Sequence, residues 1–166
     1  TLALTNYPIS GRIISGGHEQ PFACQTGEFE LVSGGILGSQ LDSDCSVLTR
    51  VDYVYWSDSE SAFKTYRHSP MSEPPEDMGE ITGPDGNAMA YIVRVETGTV
   101  NRAIYEIAML HDPAAGQVGP WNRSSGWNGK LVYTHGGGCR SGWFQQGNRT
   151  GGVMRRGLFE QGYAVT

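Results

Sequence analysis

Alternation of apolar and polar residues in the middle of the chain predicts β-strands. The run Thr49–Trp56 (TRVDYVYW) alternates and is rich in β-branched and aromatic residues, which favour strands. The runs Ala90–Thr97 and Arg102–Leu110 alternate in the same way, and Gly98-Thr99 between them is interpreted as a turn. Two such runs with a short connection predict an antiparallel hairpin.

The C-terminal pattern predicts a strand–helix–strand unit. Gly129–Thr134 is an apolar run, Val153–Gln161 has the apolar spacing of a short helix, and Tyr163–Thr166 begins another strand. This order favours parallel pairing of the two strands with a right-handed crossover. A parallel sheet is usually covered by helices on both faces, yet only this helix is predicted. We therefore expect an α/β sheet that is incomplete within residues 51–166.

The segments before and between these elements are rich in glycine and proline. Residues 1–50 are interrupted by glycine and proline at short intervals and are predicted to be irregular. Ala62–Tyr66 can continue a hairpin from the first strand, Ser69–Glu80 is predicted to be a surface loop, and Pro84–Asn87 has strong turn residues. The chain therefore divides into an irregular segment, 1–50, and a core, 51–166.

Charge and hydropathy exclude several classes of function. The 12 basic and 17 acidic residues among 166 give a net charge of −5, without the basic patch of a nucleic-acid-binding protein. The apolar runs are too short to span a membrane, so neither nucleic acid nor a membrane is an expected partner. Histidines 18, 68 and 111 lack the spacing of metal ligands, and we expect neither a metal nor a cofactor. The opening residues Thr1–Leu4 are interpreted as a processed terminus rather than a signal peptide.

The three cysteines favour one disulfide within the irregular segment. A Cys24–Cys45 bond would close a segment of 45 − 24 = 21 positions and contribute about 3 kcal/mol in chain-entropy terms. The alternative is two reduced, buried cysteines. Cys139 would then stay free or bond to a partner outside this chain. A disulfide, together with four tryptophans and eight tyrosines, suits a secreted or periplasmic protein.

The run LVYTHGGGCRSGW carries the candidate chemistry. A hydrophobic strand leads into three consecutive glycines, Gly136, Gly137 and Gly138, whose N–H groups no Cβ shields. Amides that converge in this way can stabilise the oxyanion of acyl transfer, and a strand that leads into HGGG is an oxyanion-hole motif of esterases. The alternative is a simple tight turn. His135 is interpreted as a supporting anchor of the loop rather than a catalytic base.

Other candidate residues have weaker support. Ser141 lies in Gly138-Cys139-Arg140-Ser141-Gly142, one position too late for a G-x-S-x-G nucleophile, and nothing in the sequence activates the Cys139 thiol. Tryptophans 121, 127 and 143 could stack on a substrate, although packing over the sheet is the simpler interpretation. No catalytic residue is assigned within this chain.

The segment WNGKLVYTHGGG, followed by a helix and GYAV, resembles the tannase and feruloyl-esterase branch of the α/β-hydrolases. The segments TNYPISG, QPFACQT, RVDYVY and YIVRVETGTVNRAIYEIAMLHDP resemble an uncharacterised group of secreted bacterial proteins with this core. The resemblance implies the N-terminal part of an α/β-hydrolase sheet and a serine hydrolase of small-molecule or oligomeric carboxylic esters. It places the oxyanion donors at Gly136, Gly137 and Gly138.

The chain departs from this family in one respect, because it contains no G-x-S-x-G. In α/β-hydrolases the nucleophile, acid and histidine follow in that order, after the strand that begins at Tyr163. We therefore expect a second polypeptide, or further sequence, to carry all three, with Cys139 as a possible link to it. The alternative is a non-catalytic binding or assembly module with a hydrolase-like half fold.

Overall fold

A computed structural model describes residues 20–69, 73–119, 121–135 and 144–166. These residues form strands and one short α-helix in the following order: β1 Arg50–Ser57, β2 Ala62–Thr65, β3 Glu80–Thr82, β4 Ala88–Ala90, β5 Ile92–Val100, β6 Ala103–Leu110, β7 Leu131–Val132, α1 Arg156–Phe159 and β8 Ala164–Val165. Among these residues, no helix is both long enough and apolar enough to cross a bilayer.

Six of the strands form one mixed sheet in the order β2-β1-β5-β6-β8-β7. The pairs from β2 to β8 are antiparallel, whereas β7 and β8 are parallel, with Leu131 opposite Ala164 and Val132 opposite Val165. The parallel pairing expected of the strand–helix–strand unit is therefore confirmed. The sheet is mostly antiparallel, so the described chain is an α/β-like fragment with little helix rather than a parallel sheet.

The central hairpin is confirmed, but its predicted turn is wrong. Gly98 pairs with Tyr105 and Thr99 with Ile104, so both lie inside the ladder. The turn is Asn101-Arg102, whose φ angles of 47° and 67° are those of a tight hairpin turn. Gly98 is needed for close approach instead, because a Cβ there would lie 2.9 Å from the Tyr105 ring.

The C-terminal helix is shorter than predicted. The pattern of Val153–Gln161 suggested more than two turns, whereas α1 covers Arg156–Phe159 alone. Val153 is buried in the core, and its carbonyl accepts a hydrogen bond from Arg155 N at 2.9 Å. This tight turn holds Val153 against the sheet and delays the start of the helix.

The hydrophobic core lies on the face of the sheet that α1 covers. Strands β1, β5, β6 and β8 contribute fully buried aliphatic side chains, and Phe159 of α1 is 0% exposed. Burying such a side chain contributes about 1.5–3 kcal/mol. The Phe63 ring lies edge-on to three other rings, which are Trp56, Tyr91 and Phe159. The helix is therefore anchored to the sheet by an aromatic cluster.

The hairpin β3–β4 forms a second, two-stranded sheet. Of the predicted loop Ser69–Glu80, the structure describes residue 69 and residues 73–80, which lie outside the named strands except that Glu80 begins β3. The turn predicted at Pro84–Asn87 connects β3 to β4, and Gly83 N donates to Asn87 O at 2.8 Å. The turn residues were recognised in the sequence, whereas the three-residue strands beside them were too short to show a pattern.

A disulfide joins Cys24 to Cys45, the pair that the sequence favours. The segment 20–48 that contains it docks onto residues 144–146. Ala23 N donates to Phe144 O at 2.9 Å, and Gln146 N donates to Ala23 O at 2.8 Å. The buried Gln146 side chain accepts from Gln25 N and donates to Arg102 O, both at 2.9 Å. This amide connects the disulfide segment to the central hairpin.

Gly126→Ala is expected to destabilise the protein. An added Cβ at Gly126 would lie 2.5 Å from Leu110 Cβ and 2.8 Å from Leu110 O, so the buried strand end would have to move. We expect a loss of about 1–3 kcal/mol in the free energy of unfolding, measured by urea denaturation. Gly119→Ala is the matched control, because its Cβ would meet nothing within 4 Å. Equal stability of the two variants would contradict this packing argument.

Candidate functional site

A cleft of about 1290 Å³ opens beside the carboxyl ends of the parallel strands β7 and β8. Its walls come from Ala103–Ile107 of β6, from Tyr133-Thr134 after β7, from Thr166 after β8, and from the segment 145–151. In open α/β sheets, ligands bind beyond the carboxyl ends of the strands. This cleft is therefore the candidate functional site.

The predicted oxyanion residues Gly136, Gly137 and Gly138 lie outside the described residues, and so does Cys139. What the structure places is the chain that leads to them. Strand β7 ends at Val132, and Tyr133 and Thr134 then line the cleft. The exposed His135 ring contacts the Tyr133 ring, with 4.6 Å between centroids. The oxyanion hole and the supporting role of His135 stay predictions.

Thr134, between β7 and Gly136, is held by hydrogen bonds and by close packing. Its amide N and its Oγ1 both donate to Thr166 O, at 2.5 Å and 2.9 Å. Gly151 packs against it so closely that a Cβ on Gly151 would lie 2.7 Å from Thr134 Oγ1 and 3.0 Å from Thr134 O. Three separate contacts therefore fix the backbone two residues before Gly136.

Glu106 is a buried acid in the cleft wall that sequence reasoning missed. It shares a face of β6 with Ala108 and Leu110, and it is 5% exposed. Thr150 Oγ1 donates to Glu106 Oε2 at 2.5 Å. Burial raises the pKa of the Glu106 carboxyl, and the hydrogen bond from Thr150 opposes that shift in part. An acidic residue in register with two apolar ones was the signal that could have revealed it.

His68 and His111 do not line this cleft. His111 is buried, with Nε2 2.8 Å from Gly116 O and Nδ1 3.2 Å from Ser124 Oγ. Ser124 Oγ donates to Leu110 O at 2.6 Å, so the pair holds the loop after β6 and resembles no accessible catalytic dyad. His68 lines a second cleft of about 550 Å³ beside Asp112. His18 lies outside the described residues.

The described residues contain no candidate metal centre, and the described tryptophans lie outside the large cleft. Residues 20–69, 73–119, 121–135 and 144–166 contain no group of three side chains able to hold a metal. Trp121 is 99% exposed, and Trp127 donates from Nε1 to Lys130 O at 2.8 Å. Neither tryptophan lines the large cleft. Ser141 and Trp143 lie outside the described residues.

Comparison with known proteins gives one informative match. A family model described as a tannase-like family of unknown function (DUF6351) matches residues 1–166, the whole of the chain. No curated protein and no solved structure matches the chain.

Glu106→Gln is expected to make the stability of the fold less dependent on pH. The pKa of Glu106 is raised above 4.5, so the folded protein keeps this proton at pH values where the unfolded chain has released it. Stability therefore falls as the pH rises from 4.5 through the raised folded-state pKa. The Gln variant has no such proton and should be the more stable protein at the upper end of that range.

The measurement is urea unfolding of both proteins at a series of pH values from about 4 to about 8. The difference in free energy of unfolding between variant and wild type should grow with pH and then level off. Parallel stability curves would show that the Glu106 carboxyl titrates as it does in water. Glu30→Gln is a control, since Glu30 lies on the surface away from the cleft.

Proposed function

The chain belongs to this tannase-like family, and we propose that it is part of a serine hydrolase of carboxylic esters. The observation that carries the proposal is the position of the glycine segment in the chain. Strand β7 ends beside a large cleft at the carboxyl ends of two parallel strands, and Tyr133, Thr134 and His135 separate it from Gly136 in the sequence. A strand that ends in HGGG at such a place is typical of an esterase oxyanion loop.

In this proposal the chain stabilises charge rather than forming the covalent bond. A serine hydroxyl attacks the acyl carbon, and its proton passes to a histidine. The carbonyl oxygen becomes an oxyanion, which accepts hydrogen bonds from the N–H groups at Gly136, Gly137 and Gly138. The C–O bond to the alcohol then breaks, the histidine protonates the departing alcohol, and water releases the acid in a second round.

The serine, acid and histidine come from polypeptide outside this chain. The proposal rests on the absence of G-x-S-x-G from the sequence and on the order in which α/β-hydrolases carry these residues. Cys139 would be a suitable link to that second part. The Cys24–Cys45 bond supports a secreted or periplasmic location, because structural disulfides persist in oxidising compartments.

A serine-directed fluorophosphonate is expected to abolish ester hydrolysis by the protein purified with every polypeptide that accompanies it. Mass spectrometry should locate the label on a serine outside these 166 residues, because no nucleophile motif lies within them. A label on this chain alone would contradict the proposal that the nucleophilic serine lies outside it. No label and no turnover of aryl or alkyl esters would favour the alternative, a binding or assembly module.

Gly137→Pro is expected to lower kcat by about 10²–10³, because proline has no N–H and removing one oxyanion donor has that effect. Gly137→Ala keeps the N–H and should lose less activity at the same position. Gly119→Ala serves as the distant control. Circular dichroism of each variant establishes that it is folded. A folded Gly137→Pro variant with the kcat of the wild type would contradict an oxyanion role for this amide.

A further inference from the structure

We infer that Glu106 is a positioning residue, which holds Thr134 in place at the cleft, two residues before Gly136 in the sequence. Its effect on catalysis rests on the proposed function, whereas its effect on Thr134 does not. Two separate routes lead from Glu106 to Thr134, one from its carboxyl group and one from its main-chain carbonyl.

The first route starts at the carboxyl group. Thr150 Oγ1 donates to Glu106 Oε2 at 2.5 Å and accepts from Gly152 N at 3.3 Å. The hydroxyl therefore ties the turn 150–152 to strand β6. Gly151, in the middle of this turn, lies against Thr134, where even a methyl group would meet Thr134 Oγ1 at 2.7 Å. Arg155 Nη2 donates to Gly151 O at 2.9 Å and holds the turn from its other side.

The second route starts at the main-chain carbonyl of the same residue. Thr166 Oγ1 donates to Glu106 O at 2.8 Å. The carbonyl of Thr166 in turn accepts from both the amide and the hydroxyl of Thr134. The backbone of β6 at position 106 thus holds Thr134 from the side of β8, and the Glu106 side chain holds it from the side of the turn 150–152.

The buried carboxyl of Glu106 is surrounded by threonine side chains rather than by a counter-charge within the described residues. The partner of Glu106 on the neighbouring strand β5 is Thr97. Thr150 contacts Glu106 from the turn 150–152, and Thr166 contacts it from the end of β8. Arg149 lines the same cleft, yet no ion pair includes Glu106 within the described ranges. Burying a carboxyl without a counter-charge is unfavourable. The hydrogen bond to Thr150 is the interaction gained in return.

The test compares two matched pairs in the protein purified with its accompanying polypeptides. Thr150→Val removes the hydroxyl and Thr150→Ser keeps it, while Glu106→Leu removes the acceptor and Glu106→Gln keeps it. We expect Thr150→Val and Glu106→Leu to lower kcat for an aryl ester by about tenfold, the effect of one ordinary hydrogen bond, with little change in KM. Thr150→Ser and Glu106→Gln should restore most of the lost activity.

A second measurement does not depend on catalysis. Amide hydrogen exchange of Thr134, followed by NMR, should be about tenfold faster in Thr150→Val and Glu106→Leu than in wild type. The conservative partners should be close to wild type. The amide of His111, which donates to Ile92 O at 3.0 Å beyond the Leu110 end of the β5–β6 ladder, serves as the internal control.

The outcomes separate the two proposals. Faster exchange of Thr134 together with a lower kcat supports the positioning role. Faster exchange in a protein that hydrolyses no ester leaves Glu106 as the anchor of Thr134 and overturns the proposed function alone. Unchanged exchange of Thr134 in folded Thr150→Val and Glu106→Leu overturns the positioning role, whatever the activity. Equal acceleration at Thr134 and His111 also overturns it, because the effect would then be general destabilisation.

Discussion

The carbonyl of Thr166 is the acceptor on which the architecture of the cleft depends. Strands β7 and β8 are two residues long, and few hydrogen bonds hold so short a parallel pair. Thr134 adds two donors to this one carbonyl, and Thr166 Oγ1 binds β6 in turn. Threonine is suited to both positions, since it combines a β-branched strand former with a hydroxyl that can bond a neighbouring backbone. These hydrogen bonds extend the sheet beyond the ends of β7 and β8, as far as Thr134 and Thr166 in the cleft wall.

The alternating strands were predictable because their periodicity arises from burial on one face of a sheet. Strand β6 has that alternation of burial, whereas the second half of β1, Val54–Ser57, is buried throughout, yet the structure has all three strands, β1, β5 and β6, at nearly the predicted bounds. Turn chemistry was less reliable in the same region. Gly98-Thr99 has turn residues, yet Gly98 makes room for Tyr105 across the ladder, and Asn101-Arg102 form the turn. A glycine in a sequence does not reveal whether its missing Cβ serves a turn or a contact.

The candidate site was predictable only in its local part. The strand that ends in HGGG is contiguous in sequence, so its pattern could be recognised. Glu106 contacts Thr150, 44 positions later in the chain, and Thr166, 60 positions later. No local sequence pattern indicates contacts of this kind. Glu106 could have been noticed as an acid on an apolar face, but its partner could not. Such a site is formed by tertiary contacts, and these contacts cannot be predicted from the pattern of a single sequence.

The side chain of Gln146, in the cleft wall, accepts a hydrogen bond from Gln25 N, a residue 121 positions earlier in the chain. Contacts this distant in sequence form only after the chain between them has closed a large loop, which delays them entropically during folding. The contact between residue 146 and residue 25 therefore carries a larger loop-closure cost than the central hairpin, whose strands are neighbours in sequence. Without the segment around Gln25, the Gln146 side chain would lose one of the two hydrogen bonds that hold it beside the candidate cleft.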